Sequence, residues 1–187
     1  MMPSPQHARL LAAALLGAAM VFPALAAPVA EDQRIPVDFR RTTLIVRDIE
    51  ASLALYRDAL GLQVIYDQEL APDEEGRPTA RLVLLRANDD FIGWLGLYHR
   101  YRDPPAPPPS YERPQAGQPI LVFNAADLPE RFARIRAVPG VKVVTEPELR
   151  RYPRGDGSEI EVLFSAIFDP DGFFVEINQL RGPPAGR

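Results

Sequence analysis

From Arg41 the chain runs RTTLIV, a β-rich stretch, and then changes period. Ile49, Leu53, Tyr56 and Leu60 recur at helical spacing behind Asp48, a side chain suited to cap a helix start, and Gly61 ends the run. Strand-like runs return at residues 62–66, 80–86 and 91–98. The pattern predicts a β-α-β-β-β unit. Residues 102–119 (RDPPAPPPSYERPQAGQP) interrupt it. Their prolines exclude a regular helix or an inner strand and predict an extended, semi-rigid connector. The first pattern then repeats: a strand at 120–123, Asp127 as cap, a stripe of Leu128, Phe132 and Ile135, Gly140 as stop, and strands at 141–145, 160–168 and 173–179.

The second unit is in register with the first. Asp48 matches Asp127, Leu53 matches Phe132, Gly61 matches Gly140 and Val64 matches Val143, each 79 positions apart. A constant offset over capping and apolar positions marks two copies of one unit. The expected fold class is therefore α+β: two βαβββ modules forming a paired, cleft-shaped mixed sheet with helices on the outer face. Module one spans about 39–101, the Pro-rich linker 102–119 and module two 120–180, with a tail at 181–187.

Upstream, residues 1–9 carry Arg9 and no acid, residues 10–21 (LLAAALLGAAMV) are continuously apolar, Pro23 breaks the run, and Ala24-Leu25-Ala26 offers a small-x-small cleavage site. This is the pattern of a secretory signal over 1–26, followed by a polar leader at 27–38. The apolar run is too short for a stable membrane anchor. Cleavage would remove Arg9 and take the formal charge from −4 to −5. The expected location is periplasmic or secreted. A chain without cysteine has no disulfide to form there, no thiolate metal site and no cysteine nucleophile. Its negative charge, spread with both signs along the sequence, argues against nucleic acid as a partner.

Two stretches carry a family resemblance: TLIVRDIEASLALYRDALGLQV (43–64), like the opening strand and helix of a module, and FDPDGFFVEINQ (168–179), like its closing hairpin. With the repeated βαβββ order, the sequence resembles the vicinal oxygen chelate superfamily, which includes glyoxalase I, bleomycin-resistance proteins and extradiol dioxygenases. That resemblance implies metal ligands on the first and fourth strands of each module. Carried over, Glu176 falls at a ligand position. Arg41 stands at the first-strand position, Ile120 or Gln118 at its counterpart, and Trp94 or Gly96 on the fourth strand of module one. Arg41 is a permanent cation and cannot bind a metal. Of two histidines, His7 lies in the signal, and His99 beside the linker reads as an exposed loop-edge residue. A two-His site cannot be built within one chain. Neither a resident metal nor another cofactor is expected.

Strand alternation assigns the faces. Phe174, Glu176 and Asn178 share one face, and Phe173, Val175 and Ile177 the other. Arg41 and Thr43, with Trp94 and Tyr98, fall on the matching face of module one. These seven residues, Arg41, Thr43, Trp94, Tyr98, Phe174, Glu176 and Asn178, form the candidate ligand-binding cleft, with aromatics suited to stack on a flat organic molecule. Arg41 is expected to pair with Glu176 across it. The expected function is metal-independent binding of a small organic molecule, aromatic in the simplest case. Two alternatives stay open: a glyoxalase-type lyase or isomerase with atypical ligands, its set completed by the partner subunit of a homodimer, and an envelope protein-interaction module. Residues 154–157 (RGDG) and 72–76 (PDEEG) read as solvated turns.

Overall fold

The computed structural model describes residues 29–104, 112–155 and 157–181. The expected signal, the centre of the linker and most of the tail lie outside the described residues. In module one, β1 (Arg41–Ile45) leads into α1 (Ile49–Leu53), which continues as a π-helical stretch (Ala54–Ala59). Strands β2 (Gln63–Pro72), β3 (Pro78–Arg86) and β4 (Trp94–Arg100) follow. Module two repeats the order with β5 (Ile120–Asn124), α2 (Leu128–Ile135), β6 (Lys142–Pro153), β7 (Glu159–Phe168) and β8 (Phe174–Arg181). Each module forms a four-stranded sheet, β1-β4-β3-β2 and β5-β8-β7-β6, with the first and last strands parallel and the others antiparallel. The α+β class and the two βαβββ units are as the periodicity predicts.

Helix starts and stops follow from local chemistry. Asp48 accepts from the N–H groups of Glu50 and Ala51. Asp127 occupies the matching position but does not cap, because both its oxygens are taken by Arg131 one turn on. Gly61 and Gly140 end the two helical segments with φ of 79° and 86°, a backbone region that side-chain-bearing residues adopt at a cost.

The modules meet through their helical layers. One core holds Leu44, Leu53, Tyr56, Leu85 and Leu97 from module one with Leu128, Phe132, Ile135, Val175 and Ile177 from module two. Strands β1 and β5 do not run side by side, so the sheets are joined by helix packing and by the β7–β8 turn rather than edge to edge. Each sheet thus has a core face and an opposite, open face. Strand β6 is much longer than its apolar run suggests. Cross-strand pairing with β7 carries it to Pro153, and the irregularity between Thr145 and Glu148 absorbs Pro147, which has no N–H to give the ladder.

Candidate functional site

The expected site residues fall into two groups. On the open face of the first sheet, Arg41 lies opposite Trp94, Thr43 opposite Gly96, and Ile45 opposite Tyr98. Trp94 is already engaged: its indole N–H donates to the Asp89 carbonyl (3.1 Å), and the Arg40 guanidinium lies 5.0 Å from its ring. Thr43 fills the space above Gly96, where an added Cβ would stand 2.6 Å from Thr43 Oγ1. Phe174, Glu176 and Asn178 share the open face of β8, paired with Ile120, Val122 and Asn124 of β5. Among the described residues no hydrogen bond or ion pair joins the two groups.

The expected Arg41–Glu176 pair is not formed. Neither group has an ion-pair partner within 4.0 Å among the described residues. The reason is the helix-mediated seam, which leaves β1 and β5 without a shared edge. The register shows what stands beside each strand position. Val122 lies beside Glu176 and, at the 79-residue offset, Thr43 is its counterpart, beside Gly96. Arg41 and Ile120 lie two residues earlier on the same face. The positions that the resemblance marks for ligands, Arg41, Ile120 or Gln118, Trp94 or Gly96, and Glu176, hold one carboxylate and no imidazole. This donor set does not fit a divalent metal. Nor do three His, Cys, Asp or Glu side chains converge into a metal-binding group among the described residues.

His99 is not at a loop edge. It sits in β4, partly buried, with Nδ1 3.0 Å from the Val46 carbonyl and its ring edge-on to Tyr101. The 72–76 turn is a turn: the Asp73 carboxylate accepts from the backbone of Glu75 and Arg77 and from the side chains of Arg77 and Arg102.

Sequence reading missed two features. The first is a small apolar cluster on the open face of the second sheet, Phe164, Ala166, Phe168 and Phe174, with the Arg150 guanidinium 3.7 Å from the centre of the Phe164 ring. Alternate residues of β7 announce it. The second is the polar seam between the modules. Tyr56, fully buried, donates its hydroxyl to Asp169 Oδ2 (2.7 Å). Ser52 donates to Asp171 Oδ2, and Arg47 holds Asp171 Oδ1 and the Pro170 carbonyl. Burial pushes the Asp169 carboxyl up to about 6, against the pull of its hydrogen bonds, and burial with the nearby Asp169 charge raises the Tyr56 phenol. The visible signal was a pair of acids inside FDPDGFF. A groove of about 490 Å³ also opens along this seam, lined by Leu60, Gly61, Gln63, Asn88, Phe123 and Arg131. It contains none of the seven expected residues, and its Arg131 is already satisfied by Asp127 and the Leu60 carbonyl.

Paired βαβββ modules, each a mixed four-stranded sheet with its helix on one face, define the vicinal oxygen chelate class of fold. The chain belongs to the Glyoxalase/Bleomycin resistance protein/Dioxygenase superfamily, whose family model matches residues 39–177. Among solved structures it is similar to a glyoxalase family protein from Bacillus cereus, at 14% identity and a TM-score of 0.55 over 82% of this chain and 100% of that one. A glyoxalase I mutant from Zea mays matches at 18% identity and a TM-score of 0.53, over 75% of this chain and 45% of that one. The trypanothione-dependent glyoxalase I of Leishmania major matches at 21% and 0.50, over 76% and 86%. At these identities the likeness is one of fold. Comparison with curated proteins finds no match.

Proposed function

We propose that the protein is exported and binds a small organic molecule on the open face of its second module, without a resident divalent metal. The observation that carries this reading is the composition of the ligand positions. Arg41, Ile120 or Gln118, and Trp94 or Gly96 supply neither a carboxylate nor an imidazole, and Glu176 alone cannot compete with water for a cation at useful affinity. Ile120 and Val122, exposed on β5 beside Glu176 and next to the buried cluster of Phe164, Ala166, Phe168 and Phe174, offer the hydrophobic surface that organic ligands use. The family includes glyoxalase enzymes, and its bleomycin-resistance branch is the analogy for binding without turnover.

Elemental analysis after dialysis tests the metal-free reading. No stoichiometric zinc, nickel or iron is expected. One tightly held metal per chain, lost in Glu176→Ala, would return the protein to a metal-dependent, glyoxalase-type lyase. Export rests on the tripartite pattern of residues 1–26. Intact-mass analysis of the envelope fraction should find a chain beginning at Ala27, and a protein still carrying Met1 would overturn it.

A further inference from the structure

Glu176 stands half-buried on the open face of β8, between Val122 of β5 and Ala166 of β7. No described residue donates a hydrogen bond to its carboxylate or pairs with it. Two residues along the strand, on the same face, the Oδ1 of Asn178 is buried and also lacks a partner. Residues at this spacing lie about 7 Å apart, within the span of one small molecule. Both open positions are acceptors. A buried acceptor left unmade is costly, and a half-buried carboxylate with no counter-charge more so.

The surroundings complete a site. Ile120 and Val122, the residues of β5 level with Phe174 and Glu176, are 48% and 62% exposed, an apolar ledge beside the two acceptors. Two cations share this face from across β7: Lys142, level with Phe168 and itself engaged, and Arg150, over Phe164, whose charge is met by Glu148, which accepts from Arg150 Nε at 2.7 Å. Beside β5 the face therefore presents the Glu176 carboxylate without a counter-charge among the described residues, one unsatisfied acceptor and an apolar ledge.

We propose that the ligand of this face is a small organic cation: an amine, amidinium or guanidinium on an apolar or aromatic frame. Its N–H groups donate to Glu176 and Asn178, and its frame lies on Ile120 and Val122. A charged, donor-rich group satisfies both acceptors at once and forms the stronger, charge-assisted type of hydrogen bond with the carboxylate. An anion of the same shape would meet Glu176 with like charge, and a neutral molecule would leave its charge uncompensated. This assignment rests on the small-molecule reading above and names its ligand class.

Three near-isosteric probes separate the possibilities: benzamidinium, benzamide and benzoate. Each is titrated into the purified protein, with binding followed by calorimetry and located by NMR shifts of the Ile120 and Val122 methyl groups. Benzamidinium should bind at least tenfold more tightly than benzamide, benzoate should not bind, and 0.5 M salt should weaken the cation on the screening expected of a charge pair. Glu176→Gln, nearly isosteric, should erase the preference. Asn178→Asp, which adds a second carboxylate, should strengthen it. Equal binding of the three probes at the ledge, or a preference unchanged in Glu176→Gln, would overturn the cation assignment while leaving small-molecule binding in place. Benzoate binding best would overturn it in favour of the cations on this face, Lys142 and Arg150. Failure of all three to shift the Ile120 and Val122 signals would overturn the small-molecule reading together with the inference.

Discussion

Replacing Asp169 with Asn isolates the proton-sensitive part of the seam between the modules. Asp169 is 2% exposed. Its Oδ1 accepts from the N–H groups of Asp171 (2.9 Å) and Phe173 (2.7 Å), and its Oδ2 from the Tyr56 hydroxyl. Burial nevertheless lifts its pKa from 3.8 to about 6. An unfolded chain restores the lower value. Between the two, the folded protein holds more proton than the unfolded one, so stability falls as pH rises. The contribution is complete below the unfolded value and gone above the folded one. A gap of about two units, at about 1.4 kcal/mol per unit, amounts to about 3 kcal/mol. In a chain of this size that corresponds to about 6–12 °C in melting temperature. Asn cannot ionise. Its Oδ1 can keep both backbone hydrogen bonds, while its amide can donate to the Tyr56 oxygen. Wild type and Asp169→Asn are unfolded in urea from pH 3.5 to 7.5, followed by far-ultraviolet circular dichroism and Trp94 fluorescence. The Asn variant should gain about 3 kcal/mol relative to wild type as pH rises from 4 to 7. Asp58, Asp67 and Asp127, whose carboxyls are held low by hydrogen bonds from Arg57, Arg81 and Arg131, pull the other way at acid pH. Both proteins share them, so they cancel in the difference. A difference that stays flat across this window, or changes with the opposite sign, would refute the reasoning.

Three further perturbations probe the frame. Tyr56→Phe removes the donor to a buried carboxyl and should cost about 1–3 kcal/mol in urea unfolding at neutral pH; a neutral substitution would mean the seam is not held by this bond. Gly96→Ala places a methyl group against Thr43 and should cost about 1–3 kcal/mol, most of it recovered in the Thr43→Ala, Gly96→Ala double variant, whereas additive losses would contradict the predicted clash. Ile177→Ala, in the core shared by both modules, should cost about 2–5 kcal/mol, and a loss below about 1 kcal/mol would show that the core at this point can collapse to fill the space.

Much of the fold was legible because its rules are local. The strand at Arg41, the helix behind Asp48, the stops at Gly61 and Gly140 and the hairpin through 168–179 each follow from periodicity and side-chain chemistry within a few residues. The alternation on β8 also assigned Phe174, Glu176 and Asn178 to one face and Val175 and Ile177 to the core. The 79-residue repeat then required two similar modules. Local rules failed where partners lie far apart in sequence. β6 runs beyond its apolar stretch because β7 pairs with it, and Asp127 gives up its cap because Arg131 takes the carboxylate. His99, in β4, keeps its ring against the carbonyl of Val46, 53 positions away.

The candidate site shows the same division. Sequence alone determined that the chain carries one histidine beyond the expected signal, no cysteine, and a lone acid at the closing strand's ligand position, because residue identity decides which groups can bind a metal. The tertiary structure decided what stands beside that acid. A strand can slide along its neighbour in steps that preserve which face each side chain occupies, and the sequence does not count those steps. Only the observed register puts Val122, rather than Ile120, level with Glu176. The packing of two helical layers into one core then settles the other question. It joins the modules through Tyr56, Asp169, Asp171 and Arg47 and leaves Arg41 and Glu176 unpaired, because apolar burial along the helices fixes how the modules meet before any single charge can.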